Sequence, residues 1–251
     1  MFVAASTECF PDLPLAEALS KLVDLEFTAF ELAIHEGGNH LKPSQVESHF
    51  EETVRMCGET RRLTPVAFSV NFNTEGDRYY QQFAACSKLA KALKVISITV
   101  PAAELGTPFN AEIERLRELV RIAAVDGVLV SVITEVGCIT QDPDTAVVLC
   151  DNVKGLGITL DPSHFICGPH GGAEFEQVMK YVYHTHLRDT SKDKFQVRVG
   201  QGKVEYGRLV TQLNKVNYKR ALCVLLPPDP ESGVDHMAEM RKIRLLLESL
   251  V

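Results

Sequence analysis

Short runs of β-branched and aromatic residues alternate along the whole chain with longer stretches whose apolar residues recur at helical spacing. The pattern predicts strands at FVAAS (2–6), TAFELA (28–33), PVAFSVNF (65–72) and VISITV (95–100). Four more are predicted at LVSVITEV (129–136), LGITLD (156–161), YVYHTHL (181–187) and ALCVLL (221–226). Helical patterning covers LAEALSKLVDL (15–25), SQVESHFEETVRMCGETRRL (44–63), RYYQQFAACSKLAKAL (78–93), AEIERLRELVRIAAVDG (111–127) and HMAEMRKIRLLLESLV (236–251). Eight strands alternating with helices in 251 residues predict a single α/β domain, a (β/α)8 barrel spanning residues 1–251. A doubly wound open sheet is the rival, but no glycine-rich dinucleotide fingerprint follows the first strand.

Side chains two apart on a strand share a face, so parity sorts each strand into an inner and an outer set. If Asp161 points into the barrel, Thr159 and Gly157 do too, leaving Leu156, Ile158 and Leu160 against the helices. Inward Glu31 leaves Phe30 and Leu32 outside, and inward Asn71 leaves Val66, Phe68 and Val70 outside. Inward Glu135 leaves Val130, Val132 and Thr134 outside; inward His186 brings His184 with it and turns Tyr183, Thr185 and Leu187 outward. Five strands therefore carry a polar side chain near their C-terminal ends, the end at which such barrels build active sites.

Charge and cysteine usage narrow the function classes. Lys+Arg 26 against Asp+Glu 33 gives a net charge of −7 with no long basic run, which argues against a nucleic-acid partner. The seven cysteines form no CxxC pair, as expected of reduced thiols in a cytoplasmic setting. The N-terminal MFVAASTECF has no basic segment followed by a long apolar one, and no apolar run approaches a membrane span.

Glu135, Asp161, His164 and His186 offer two carboxylates and two imidazoles from three successive strands. Such donors suit Mn2+, Mg2+, Co2+ or Zn2+, and the absence of thiolate from the set disfavours a structural zinc site. Asp189 in HLRD is placed to orient a histidine or touch substrate. Gln196 and Arg198 alternate through FQVRVGQG and are expected to project toward the site, with Arg198 suited to an anionic group. Gly200 and Gly202 would permit the tight turn. Histidines 35, 40 and 170 fall in glycine-rich loops that should border the active-site face and are expected to be solvated rather than ligating, and His49 and His236 are expected on helix surfaces.

With FELAIHEG, TEVG, LDPSHF, HTHLRD and VGQGKVEYGRL in this order, the chain resembles the xylose isomerase-like sugar isomerase/epimerase family, whose sequence domain is shared with endonuclease IV-type AP endonucleases. The resemblance runs over nearly the full length. It implies one divalent metal held by Glu135, Asp161, His186 and an acid on the eighth strand, with His164 contacting substrate. The last ligand should fall at Leu225, where this chain has no acid; Glu231 in PPDPES is the nearest replacement. Epimerases of this type work with two carboxylates on opposite faces of the substrate carbon. Leu225 removes one of them and tilts the expectation toward one-base aldose–ketose isomerisation, or dehydration next to a carbonyl.

The implied chemistry is proton removal next to a carbonyl through an enediolate, with Glu135 as general base. Glu31, Asn71, His164, His184 and Asp189 would hold the hydroxyls of a small sugar or polyol or relay protons. A barrel that binds a sugar without turnover is the alternative that Leu225 favours. AP-site cleavage fits poorly, because KDKFQVRVGQG lacks the acid and histidine that extra metals would need. No membrane partner is expected, and the resemblance admits a homo-oligomer.

Overall fold

In the computed structural model, which describes residues 1–172, 174–229 and 235–251, eight parallel strands close into a barrel in chain order. They are β1 (Phe2–Ser6), β2 (Ala29–His35), β3 (Thr64–Asn71), β4 (Ser97–Val100), β5 (Leu129–Ile133), β6 (Leu156–Leu160), β7 (Val182–Leu187) and β8 (Ala221–Val224). The helices are α1 (Leu15–Asp24), α2 (Pro43–Ser48), α3 (Phe50–Gly58), α4 (Gly76–Ala92), α5 (Phe109–Asp126), α6 (Pro143–Asn152), α7 (Pro162–Ile166), α8 (Tyr206–Lys215) and α9 (His236–Glu248). Glu231 lies outside the described residues. None of the described helices is long and apolar enough to cross a membrane.

The helix predicted over 44–63 is broken at His49, whose backbone (φ −133°, ψ 48°) ends α2 and admits α3. Three helices, α6, α7 and α8, lie outside the predicted set. At the start of α6, Asp142 accepts the Thr145 N–H at 2.9 Å and Pro143 takes the first position, where a missing N–H costs nothing. The helix α8 is short and buries only one stripe, Tyr206, Leu209, Val210 and Leu213, against the rest of the molecule.

Parity survives in most strands and is reset in two by bulges. Between β2 and β3 the register steps from Phe30↔Pro65 to Glu31↔Ala67, which skips Val66. Val66 consequently packs with Ala4, Ala29 and Ala221 in a small cluster apart from the main core, not on the outer face as parity alone predicts. Between β6 and β7 the register steps from Ile158↔Val182 to Thr159↔His184, which skips Tyr183. The Tyr183 ring is thereby brought over Gly157, where an added Cβ would lie 2.1 Å from ring carbon Cδ2. Only glycine allows that approach.

Two kinds of interior result. Between strands and helices lies a hydrocarbon shell that includes Phe68, Phe83, Leu89, Ile98 and Leu116, all fully buried. Inside the barrel the upper layers are polar: Thr159 Oγ1 sits 2.7 Å from both Thr99 Oγ1 and Ser131 Oγ, with Glu31, His184 and His186 also buried. A buried polar layer is tolerated only when its members bond one another. The hydroxyl trio does so, and it stiffens the barrel at the level where β4, β5 and β6 begin to form the mouth.

Candidate active site

The C-terminal ends of the strands enclose a cavity of about 240 Å³ whose lining includes Glu8, His35, Asn71, Glu135, His186 and Leu225. Hollows of similar volume, about 230 and 270 Å³, lie elsewhere on the molecule, so size does not single out the mouth. Its position does, together with the convergence of acids and imidazoles from β1, β2, β5 and β7.

Glu31 stands at the centre of the buried polar layer. His186 Nε2 approaches its two carboxylate oxygens at 3.0 and 2.8 Å, and His184 Nε2 lies 2.9 Å from Oε2. Burial opposes the Glu31 charge, but the charge of His186 and the contacts with His184 outweigh it and hold the carboxyl below the ordinary range. For His186 burial likewise disfavours the cation, and the Glu31 charge overrides it to raise the imidazole. For His184 burial prevails and the imidazole is lowered. The sequence had placed Glu31 and His184 as substrate contacts; their close partners here are each other and His186.

Asp161 follows β6 as the N-cap of α7, with both oxygens engaged. One accepts the Ser163 N–H at 2.9 Å and the Ser163 hydroxyl, which caps α7, and the other accepts a hydrogen bond from the guanidinium of Arg188. Burial pushes Asp161 up, yet Arg188 first and His164 second hold it below the usual carboxylate range. His164 Nδ1 accepts the Val136 N–H at 3.0 Å, so its neutral form carries the proton on Nε2, 3.7 Å from Asp161 Oδ2. Its ring packs 4.9 Å from that of Phe195.

Glu135 follows β5 rather than lying within it, half-buried at the mouth. Desolvation raises its carboxyl above the ordinary value, and the hydrogen bond from Cys138 only partly offsets that. Asn71 ends β3 and lines the same cavity.

Three expected site residues are used elsewhere. Asp189 neither orients a histidine nor faces the cavity lining: it is buried and accepts the N–H groups of Thr190, Gly200 and Gly202, at 3.0, 2.7 and 3.0 Å. The loop lies so close to it that a Cβ on Gly202 would sit 1.9 Å from Asp189 Oδ1. Residues 195–199 form no strand, so the expected alternation of Gln196 and Arg198 toward the site does not arise. Gln196 donates to the Pro227 carbonyl at 2.8 Å, and it and Arg198 line a separate hollow of about 50 Å³ beside His236.

Two histidines make contacts other than those expected of them. His35, predicted to be solvated, contacts Ser69 Oγ through Nε2 and Glu8 Oε1 through Nδ1, each at 3.2 Å. His236, predicted on a helix surface, instead reaches back from α9 to the Leu226 carbonyl at 2.8 Å, beside the separate hollow and outside the mouth. Arg188 was legible in principle, because it continues the inward series His184, His186 by two residues.

The metal that the resemblance implies would need Glu135, Asp161, His186 and an acid near Leu225. Both Asp161 oxygens are already engaged by Ser163 and Arg188, Leu225 presents hydrocarbon to the cavity, and the Arg188 guanidinium sets a fixed positive charge beside the carboxylate. Among the described residues, Glu135, Asp161 and His186 are not among the groups whose ligand atoms come within 4.8 Å of one another. As arranged, this set does not fit the ion.

Fold and site together define a single-domain (β/α)8 barrel with an acid- and histidine-lined mouth. The xylose isomerase-like TIM barrel family model matches residues 19–244, and the chain belongs to that family. No curated protein matches its sequence. Among solved structures it is similar to a xylose isomerase-like TIM barrel protein from Mycobacterium smegmatis in complex with magnesium (TM-score 0.77, 17% identity, covering 99% of this chain and 97% of that one). It is also similar to the probable 3-DHS dehydratase AsbF from Bacillus anthracis (TM-score 0.73, 17% identity, 97% and 98% covered). A third similar structure is an L-ribulose 3-epimerase (TM-score 0.75, 13% identity, 100% and 96% covered). At such identities the likeness is one of fold.

Proposed function

We propose that the chain is an isomerase or epimerase that moves a proton at the carbon next to a carbonyl in a small sugar or polyol, through an enediolate. The observation that carries this reading is that two carboxylates, Glu8 and Glu135, line one mouth cavity. The family supplies its second carboxylate from the eighth strand; here Leu225 stands there, and Glu8, just after β1, offers an acid from another direction. Two-base epimerisation is thereby restored to the candidates, beside one-base isomerisation.

Glu135 is the base, because its half-buried carboxyl holds a proton more tightly than an exposed one and still faces the cavity. Glu8, held by His35, returns or exchanges the proton. Negative charge on the substrate oxygen is met by a fixed group of the chain, His186 at the cavity wall. Asn71, Ser69 and Thr99 line the same space and offer hydrogen bonds to hydroxyls. A volume of about 240 Å³ lies just under the roughly 300–1,000 Å³ typical of ligand sites and suits a small substrate.

The test is incubation with a panel of free and phosphorylated ketoses and aldoses in heavy water, read by nuclear magnetic resonance. Deuterium should enter next to the carbonyl, and Glu135→Gln should slow entry by about 10²–10⁴-fold. A protein that binds one of these sugars yet exchanges nothing would instead be the sugar-binding barrel that Leu225 favours.

A further inference from the structure

Directly beneath the mouth lies a second set of donors that the proton-transfer reading leaves unused. Glu31 on β2, His184 on β7 and Cys223 on β8 place a carboxylate oxygen, an imidazole nitrogen and a thiol sulfur within 4.8 Å of one another. All three residues are buried. Among the described residues the Cys223 thiol makes one long contact, 3.8 Å, to the Val224 carbonyl.

The geometry of His184 is the second observation. Its Nε2 comes within 2.9 Å of Glu31 Oε2 but off the line that a hydrogen bond requires, and it has no other partner. Leaving a buried ring nitrogen unpaired is costly. Two donor atoms that crowd together without bonding are placed as ligands aimed at a shared third point.

We infer that Glu31, His184 and Cys223 form a buried binding site for a thiophilic divalent cation, with zinc the best match. Carboxylate, imidazole and thiolate are the three ligand types zinc takes, and the sulfur distinguishes this set from the all-oxygen sites that magnesium prefers. Two negative ligands balance the charge of the ion, with the Cys223 proton released to solvent on binding. Glu31 Oε2 would turn to the ion while Oε1 keeps its 3.0 Å hydrogen bond from His186 Nε2, which orients the carboxylate from outside the coordination sphere. Because His186 also lines the mouth, the ion would sit one layer below the cavity and shape its floor without touching substrate.

The test uses the full chain stripped of metal by chelator and reloaded with zinc or cobalt. Wild type should take up one tightly bound equivalent. Its cobalt form should show a thiolate-to-metal charge-transfer band, and X-ray absorption of its zinc form should show a sulfur neighbour at about 2.3 Å. Cys223→Ser should abolish the band, and His184→Gln should abolish stoichiometric binding. His186→Gln should keep the band while weakening affinity by about 10–100-fold. Glu135→Gln should change none of these, which separates this site from mouth chemistry. The inference is overturned if wild type binds no equivalent or its bound zinc has only nitrogen and oxygen neighbours. It is equally overturned if the band survives in Cys223→Ser. The absorption measurement needs no variant, so a variant that fails to fold cannot shelter the idea.

Discussion

Arg188 and Asp161 form an ion pair across the tips of β7 and β6, with the carboxylate fully buried and the guanidinium side chain only 13% exposed. Desolvating both charges is costly, and removing one leaves the other uncompensated. Arg188→Ala should therefore destabilise the protein by about 3–5 kcal/mol, measured by denaturant unfolding. The double variant Arg188→Met with Asp161→Asn should recover much of that loss. If the double variant is as unstable as the single one, the pair does not account for the effect.

The Glu31–His186 contact sets opposite flanks of a pH–stability curve. Glu31 is held below its unfolded value, so its contribution is present above the ordinary carboxylate range and is lost as pH falls through the folded value. His186 is raised, so its contribution is full below the ordinary imidazole value and is lost as pH rises through the folded one. Thermal unfolding across pH should show both flanks in wild type, and Glu31→Gln should flatten both. A curve unchanged by Glu31→Gln would mean that the pair is energetically silent.

Glu135 carries a pH signature in activity. Its carboxyl is raised by desolvation, so the acid limb of the rate profile should lie above that of an ordinary glutamate. Activity should rise as pH climbs through that value and the base loses its proton. A limb at or below the ordinary carboxylate value would assign the base elsewhere.

Gly157 is fixed by the Tyr183 ring. Gly157→Ala forces a methyl against ring carbons and should cost about 1–3 kcal/mol, the range for overpacking a core. Tyr183→Leu in the same chain should relieve part of it. Equal stability of wild type and Gly157→Ala would show that the bulge can shift at little cost.

Asp189 is a loop anchor, and its loss should be read in the loop. Asp189→Ala leaves the Gly200 and Gly202 N–H groups without their charged acceptor, a loss of about 1.5–3 kcal/mol per bond at most. Hydrogen exchange at residues 197–203 should accelerate selectively while the barrel strands keep their protection. Uniform acceleration would point instead to global destabilisation.

The barrel was legible because its signal is repeated: eight short apolar runs separated by helical spacing leave few architectures. Parity then placed Glu31, Asp161, His184 and His186 inside, since one polar residue on an oily strand fixes the phase of its neighbours. It failed at Val66 and Tyr183, because a bulge inserts one residue without a mark that the pattern can register. It also failed past the strand ends. Asp189 was assigned by its nearness to His186 in sequence, but the strand stops at Leu187 and the chain turns Asp189 under the following loop. Glu8 and His35 meet because β1 pairs with β2, which brings the turn after β1 beside the end of β2, and neither lies where strand parity alone would assign it to the mouth.

The Glu31–His186 contact joins residues 155 positions apart. Closing so long a span sacrifices chain entropy before the bond gives anything back, so it belongs to the last stage of assembly. Substitutions at either end should then speed unfolding while leaving the refolding rate nearly untouched, making this pair a latch on the lifetime of the finished barrel rather than a guide to its formation.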